Sequence, residues 1–110
     1  MNSREKGNIA EDKAVEFLKN NNFEIRDRNF YTRLGEIDII AKKDNIYHFV
    51  EVKSGKNFQS IYNVTPAKLK KIIKTMNIYL KKKRINNPYQ IDVITIDNEK
   101  LKFIKNISMF

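Results

Sequence analysis

An aspartate and a Glu-x-Lys sequence lie in the middle of the chain, at Asp38, Glu51 and Lys53. Carboxylate oxygens are the protein ligands that Mg²⁺ prefers, and this ion usually keeps water and substrate phosphate as its other ligands. A metal ion held by Asp38 and Glu51 would bind a phosphate oxygen and lower the pKa of a bound water. Lys53 would orient the attacking water or offset the charge that develops on the phosphate. These residue types predict metal-assisted hydrolysis at phosphorus.

The strand that carries Asp38 has an uncommon pattern of side chains. Regular alternation places Ile37 and Ile39 on one face of this strand. Glu36 and Asp38 then fall on the other face. An apolar strand with two carboxylates on one face is not typical of a plain surface strand, so the pattern favours a site.

The next strand places Glu51 and Lys53 on a common face. The intervening pair Asp44-Asn45 predicts a tight turn, so the two strands are expected to form an antiparallel hairpin. Such a hairpin would present Asp38 beside the other two residues. The alternative is a lattice of ion pairs among the same residues on a solvated sheet face, which would contribute little stability.

A third carboxylate, Glu11, lies on the helix predicted from Ile9 to about Asn20. At about 100° per residue it falls within the apolar arc with Ala14 and Leu18, whereas the other charged residues fall on the opposite arc. A buried carboxylate is costly unless a cation, backbone donors or a metal ion compensates it. We therefore expect Glu11 to reach the cavity of Asp38 as a third metal-binding carboxylate. The alternative is an acid near a helix start, favoured by the helix dipole.

Periodicity and turn residues predict the elements around these residues. A helix is followed by three strands, a second helix begins at Thr65-Pro66, and two strands follow it. The order α-β-β-β-α-β plus a short C-terminal strand predicts an α/β fold, with a mixed β-sheet flanked by two helices. The 110 residues are expected to form one domain, 1–110.

Composition excludes several kinds of chemistry. The absence of cysteine excludes a disulfide scaffold, a thiolate zinc site and a cysteine nucleophile, and the single histidine, His48, makes a histidine-based triad unexpected. No segment is apolar enough to span a membrane, and the first residues lack the apolar core of a signal peptide. We therefore expect a cytoplasmic protein that does not bind a membrane.

The excess positive charge of +9 is concentrated in one part of the chain. From Val52 to Ile91 there are ten basic residues and no acidic one. Nucleic acid is the natural partner for such a segment, and a solvated lysine-rich surface is the alternative. In the basic segment before Asp38, the ring of Tyr31 could stack on an unpaired base, and a hairpin end with ordinary surface arginines is the alternative. The residues expected to contact nucleic acid are Arg33, Lys56, Lys68, Lys71 and Lys74.

Three segments, in the same order and spacing, resemble the YraN-like bacterial proteins: GNIAEDKAVEFLKNNNFEI, GEIDIIAKKDNIYHFVEVKS and TPAKLKKI, and the closing pattern YQIDVITIDNEKLKFIKNI continues the resemblance. That largely uncharacterised family is placed among the restriction-endonuclease-like, PD-(D/E)XK nucleases. The same pattern is similar to the archaeal Holliday junction resolvases. The resemblance covers nearly the whole chain.

The resemblance implies a restriction-endonuclease-like core and a role for individual residues. Glu11 matches the acid of the first helix, and Asp38 matches the metal-binding aspartate. Glu51 and Lys53 match the E-x-K pair, and Lys68 matches a lysine near the start of the second helix. The implied function is a Mg²⁺- or Mn²⁺-dependent endonuclease that hydrolyses phosphodiester bonds in DNA, including branched or structured DNA.

Two other functional classes fit the same sequence. The superfamily contains members that kept the fold and lost cleavage, so a non-catalytic nucleic-acid-binding module is the first alternative. A protein–protein adaptor with an incidental basic face is the second. Retention of all four matched site residues favours the enzyme. Glu36 belongs to the family's G-E-I-D string without an established catalytic role, and the sequence is compatible with a homodimer.

Overall fold

The structure of the protein is a computed structural model that describes residues 3–55 and 64–107, with side chains from Gly7 onward. Within these ranges the elements follow the predicted order, and the α/β layout of a mixed sheet flanked by two helices is confirmed. In chain order the elements are α1 (Ser3–Asn20), β1 (Glu24–Thr32), β2 (Gly35–Lys43), β3 (Ile46–Gly55), α2 (Pro66–Lys82), β4 (Tyr89–Asp97) and β5 (Lys100–Ile104).

The five strands form one sheet whose spatial order follows the chain, β1-β2-β3-β4-β5. Neighbouring strands are antiparallel except β3 and β4, which are parallel. A parallel pair needs a crossover connection, and α2 lies in that connection. Between β2 and β3, Asp44 and Asn45 have φ values of 51° and 68°, as a type I′ hairpin turn requires. The predicted hairpin is confirmed.

The second helix begins where the sequence predicts it. The Thr65 hydroxyl oxygen accepts a hydrogen bond of 3.2 Å from the backbone N–H of Lys68. Pro66 follows as the first helical residue, where its missing N–H is not needed. The apolar face of α2 then packs on one face of the sheet. The buried residues of this α2 cluster are Ile37, Ile40, Tyr47, Phe49, Ile72, Met76, Tyr79 and Ile91.

The first helix packs with the side chains of a second apolar cluster. The buried residues of this α1 cluster are Ala10, Ala14, Val15, Leu18, Phe23, Ile39, Ala41, Val50, Val52, Ile94 and Ile96. The side chain of Glu11 is only 12% exposed, whereas Asp12 and Glu16 are exposed. The expectation that Glu11 lies on the buried side of its helix is therefore confirmed. Neither helix, within the described ranges, is long and apolar enough to cross a lipid bilayer.

The regular alternation of β2 is interrupted at Asp38. Ile37 packs in the α2 cluster, whereas Ile39 packs in the α1 cluster, so the expectation that these two isoleucines share a face is wrong. The physical reason lies between them, where Oδ2 of Asp38 accepts a hydrogen bond of 2.8 Å from the backbone N–H of Val52. A side-chain oxygen takes the place that a backbone carbonyl has in a regular ladder.

Strands β2 and β3 separate close to this point. Their described Cα pairing ends at Ile39 and Val50, although β2 begins at Gly35 and β3 continues to Gly55. Beyond Val50, β3 remains paired with β4 as far as Gly55. Asp38, Glu51 and Lys53 therefore lie where two adjacent strands move apart.

The start of β2 lies against α2 at a contact that requires glycine. A Cβ atom on Gly35 would lie 3.0 Å from Oγ1 of Thr75 and 3.4 Å from the backbone oxygen of Lys71. The Thr75 hydroxyl is buried and donates a hydrogen bond of 2.9 Å to that same oxygen, so it is not free to move aside. This contact fixes the chain immediately before Glu36.

Candidate metal centre

Three carboxylates from two elements converge at the separation of β2 and β3. One oxygen each from Glu11 of α1 and from Glu36 and Asp38 of β2 lie within 4.8 Å of one another. Glu36 is exposed, while the other two are partly buried. Like charges at this separation repel strongly unless protons or a cation neutralise them. The cluster therefore has the composition and size of a site for a hard cation.

The carboxyl group of Glu11 is largely buried, and the described residues compensate its negative charge only in part. Burial raises its pKa, and Asp38 raises it further, while Arg28 and a hydrogen bond from the Asn29 side chain lower it. Its Oε1 atom is buried and receives no regular hydrogen bond from the described residues. The nearest cation is Nη2 of Arg28, 3.6 Å away. A buried polar atom without a partner is costly, and a cation at the carboxylate cluster would satisfy it.

The carboxyl groups of Asp38 and Glu51 share a side-chain hydrogen bond. Burial raises the pKa of Glu51 to about 9, and its side-chain hydrogen bond with Asp38 raises it in the same direction. In the metal-free protein this environment favours the protonated form of Glu51, and a cation bound at the carboxylates would displace that proton. Asp38 links the two halves of the site, because it contacts Glu51 of β3 and belongs to the group formed with Glu11.

Lys53 supplies a positive charge to this set of acids. It is half-buried on β3, opposite Thr95 of β4. Its ammonium group lowers the pKa of both Glu51 and Glu36. An ammonium group so placed offsets negative charge in the cluster, and it would do the same for a phosphate bound there.

The four residues expected to do chemistry lie together in the structure. Glu11 and Asp38 belong to the carboxylate group, Glu51 hydrogen-bonds to Asp38, and Lys53 interacts with Glu51. The described group of three close carboxylates contains Glu36 rather than Glu51. The roles of Glu11, Asp38 and Glu51 as metal ligands stay predictions.

Two residues at the site were not assigned a function from the sequence. Strand alternation already places Glu36 on the same face as Asp38 in the sequence, although without a metal-binding role. Asn29 gave no sequence signal. It lies inside β1 with a φ of 53°, in the left-handed region, which asparagine tolerates better than most residues. Backbone strain of this kind clusters at functional sites, and Asn29 also hydrogen-bonds to Glu11.

A cavity of about 570 Å³ opens beside the carboxylates. Its walls come from α1, β1 and β2. The lining residues are Gly7, Asn8, Glu11, Asn29, Tyr31 and Glu36. The cavity is large enough for one nucleotide-sized group in contact with both glutamates.

The donor set fits a hard divalent cation such as Mg²⁺ or Mn²⁺. All candidate ligands are carboxylate oxygens, which suit these ions, and the described residues offer no thiolate. His48, the single histidine, is buried elsewhere, with its Nδ1 atom 2.6 Å from Oδ2 of Asp92. The buried Oε1 atom of Glu11, which accepts no hydrogen bond from the described residues, provides an independent reason for a cation at this position.

The basic residues expected to contact nucleic acid lie on the surface where the structure describes them. Arg33 is exposed between β1 and β2, and Lys68, Lys71 and Lys74 are exposed on α2. The backbone oxygen and Cβ of Lys71 lie against Gly35 at the start of β2. Lys56 lies outside the described residues.

Sequence comparisons relate nearly the whole chain to one family of bacterial proteins. A UPF0102 protein of Helicobacter hepaticus is 51% identical over 109 residues, which cover 99% of both chains. One from Aliarcobacter butzleri is 49% identical and covers 97% of this chain and 99% of its own. One from Wolinella succinogenes is 50% identical over 107 residues, with the same coverage.

The family model agrees with these pairwise comparisons. Residues 10–96 match the model described as uncharacterised protein family UPF0102. The matched range includes Glu11, both strands of the hairpin, and α2. The resemblance to YraN-like proteins is confirmed at the level of the family, and the chain belongs to the uncharacterised protein family UPF0102.

Proposed function

We propose that this protein is a metal-dependent nuclease of the restriction-endonuclease-like, PD-(D/E)XK type that hydrolyses phosphodiester bonds in DNA. The observation that carries the proposal is the convergence of three carboxylates with the Glu51–Lys53 pair where β2 and β3 separate. Within the described residues Oε1 of Glu11 is buried, accepts no hydrogen bond and has only a long ion pair of 3.6 Å with Arg28, so a cation at the cluster would stabilise it. Branched or otherwise structured DNA is the substrate class favoured by the resemblance to resolvases.

Each site residue has a role in this proposal. Glu11, Asp38 and Glu51 would hold Mg²⁺ or Mn²⁺, and Glu36 would add a fourth carboxylate on the solvent side. The ion would neutralise phosphate charge and acidify the attacking water. Lys53, beside Glu51, would offset the charge that grows on the phosphate during attack.

The exposed lysines of α2 support DNA as the partner. Lys68, Lys71 and Lys74 present ammonium groups without a nearby acid on the same helix, since α2 contains no acidic residue. Lysine contacts to phosphates bind DNA without reading its sequence, so the expected binding is salt-sensitive and largely independent of sequence.

A cleavage assay tests the proposal directly. Purified protein is incubated with single-stranded, duplex, flapped and four-way DNA, in Mg²⁺, in Mn²⁺ and in EDTA. We expect cleavage of at least one substrate with either ion and none in EDTA. Glu11→Gln should abolish cleavage, whereas Glu16→Gln, an exposed position on the same helix, should not.

A non-catalytic nucleic-acid-binding module is the second candidate function. One observation favours it, because Asp38 is already hydrogen-bonded by the Val52 N–H and by Glu51, as in a structural cluster. DNA binding by the wild-type protein, with no metal-dependent cleavage of any of these substrates, would select this function over the nuclease.

A further inference from the structure

Tyr31 is the most exposed large apolar side chain among the described residues. It is 76% exposed, although it lies in β1 one strand away from the centre of the site. An aromatic ring that remains in water at this position has lost the stabilisation that burial would give it. Such a ring is free to contact a ligand.

The backbone places this ring beside the carboxylates. Tyr31 is paired directly with Glu36 in the antiparallel register of β1 and β2, and directly paired residues share one face of a sheet. Their Cβ atoms are therefore about 5 Å apart. Tyr31 also lines the same cavity as Glu11, Glu36 and Asn29. A ligand phosphate at the carboxylates would leave its attached nucleoside within reach of the tyrosine ring.

We infer that Tyr31 forms a nucleobase-binding subsite of this cavity, which stacks on an unpaired base next to the phosphate held at the carboxylates. The inference rests on the proposed function and adds the substrate class to it. Every base has an aromatic face, so stacking on tyrosine tolerates any sequence. The exposed Arg33, two residues further along the chain, adds a cation for the adjoining phosphate.

This subsite selects DNA that contains unpaired nucleotides. In a duplex both faces of each base are covered by its neighbours, so a base must leave the stack before Tyr31 can contact it. Single strands, flaps and the unpaired ends of branched DNA present such bases at little cost. The preferred substrate class is therefore DNA with an unpaired base beside the cleaved bond.

Fluorescence of 2-aminopurine tests stacking without requiring cleavage. A single-stranded oligonucleotide with this base at one position is titrated with the protein in Ca²⁺ and in EDTA. We expect saturable quenching by wild-type protein and by Tyr31→Phe, which keeps the ring. Tyr31→Leu should lose the quenching and bind at least about fivefold more weakly.

The matched control is Tyr89→Leu. Tyr89 is 50% exposed at the first position of β4, where it pairs with Tyr47, whereas Lys53 pairs with Thr95 near the other end of that strand. Tyr89→Leu should quench the 2-aminopurine fluorescence and bind the oligonucleotide as the wild type does. Circular dichroism and thermal melting would establish that all variants are folded.

The outcomes test the Tyr31 subsite and the proposed nuclease function independently. Equal quenching by Tyr31→Leu and wild type, or no saturable quenching by wild type in either condition, would overturn the subsite even if the enzyme cleaves DNA. If the wild type quenches through Tyr31 but cleaves nothing in Mg²⁺ or Mn²⁺, the subsite is supported and the nuclease function fails. If the wild type both quenches through Tyr31 and cleaves DNA, Tyr31→Leu should also reduce the preference for cleaving flapped over blunt duplex DNA.

Discussion

The Oδ2 atom of Asp38 accepts a hydrogen bond of 2.8 Å from the backbone N–H of Val52. Val52 is the residue between Glu51 and Lys53, so this bond ties the candidate ligand of β2 to the centre of the Glu-x-Lys sequence on β3. It lies immediately beyond the last described Cα pair of the two strands. One carboxylate thus fixes the geometry of the strand separation and also takes part in the acidic cluster.

Because Asp38 both accepts the Val52 hydrogen bond and belongs to the acidic cluster, we expect Asp38→Asn to lose activity but keep its stability. The amide oxygen can still accept the bond from the Val52 N–H, so the melting temperature should change little. Metal-dependent cleavage should fall at least about a hundredfold, because the charge that a hard cation needs is gone. DNA binding in EDTA should hold or tighten, since one negative charge near the phosphates has been removed. Melting, cleavage and binding assays on one preparation check all three.

Asp38→Ala is the control for the structural part of this role. It leaves the buried N–H of Val52 without an acceptor, which costs about 1–3 kcal/mol of unfolding free energy. Equal cleavage by Asp38→Asn and wild type would refute the assignment of Asp38 as a metal ligand.

The sequence predicted the elements because local signals determine most of them. Thr65-Pro66 starts α2, and Asp44-Asn45 closes the hairpin with the φ values that its turn type requires. Each of these signals acts over a few residues, so a single sequence suffices to read it.

The sequence could not predict the irregular backbone at the site. The break in alternation between Ile37 and Ile39 depends on a hydrogen bond from Asp38 to Val52, which is fourteen residues away in the chain. The left-handed conformation of Asn29 likewise has no local signature, since most asparagines in strands are extended. Both features arise from tertiary contacts, which override the period-2 pattern.

Glu51 predicts an unusual pH dependence of stability. Its pKa is about 9 in the folded protein and near 4.5 when unfolded, so the folded state binds the extra proton. The stabilisation is complete below the unfolded pKa and is lost as the pH rises through the folded pKa. Between about pH 5 and pH 9 the unfolding free energy should fall, with a slope of up to about 1.4 kcal/mol per pH unit. Urea denaturation across this range, in EDTA, measures the slope.

Glu51→Gln is the matched variant for this measurement. Its amide can still donate a hydrogen bond to Asp38 but cannot ionise, so its curve should be flatter than that of the wild type. A residual slope of the same sign is expected, because burial also raises the pKa of Glu11 and Glu36. Identical slopes for the variant and the wild type would contradict the assignment of the proton to Glu51.

Asp92 is predicted to be a major determinant of stability outside the site. It is fully buried on β4, and Oδ2 lies 2.6 Å from Nδ1 of His48. Its other oxygen accepts hydrogen bonds of 2.7 Å from the Gln90 side chain and the Asn106 backbone. Asp92→Asn keeps one oxygen for the Gln90 and Asn106 donors but turns an NH₂ group towards Nδ1 of His48, which must then become the acceptor, and the expected cost is about 1–3 kcal/mol of unfolding free energy. Thermal melting measures it, with the exposed Asp44→Asn expected to change stability by less than about 0.5 kcal/mol.

Gly35 should be intolerant of alanine because of its contact with α2. The added Cβ would lie 3.0 Å from the fixed hydroxyl of Thr75, so Gly35→Ala should cost about 1–2 kcal/mol of unfolding free energy. The double variant with Thr75→Ala removes the clashing atom, and the two effects should be less than additive. A double-mutant cycle by urea denaturation measures this coupling. A neutral or stabilising Gly35→Ala would show that the approach of the two elements is looser than described.

The exposed lysines of α2 predict how salt affects DNA binding. Each lysine that contacts a phosphate releases counterions on binding, so log K falls with log salt by about one unit of slope per contact. Replacing Lys71 and Lys74 with alanine should flatten this slope by roughly one to two units. The matched control replaces Lys13 and Lys19, which are equally exposed but lie on α1, and it should leave the slope unchanged. Binding is measured in EDTA, so that neither cleavage nor the metal contributes. If the α1 pair flattens the slope and the α2 pair does not, DNA lies across the other helix.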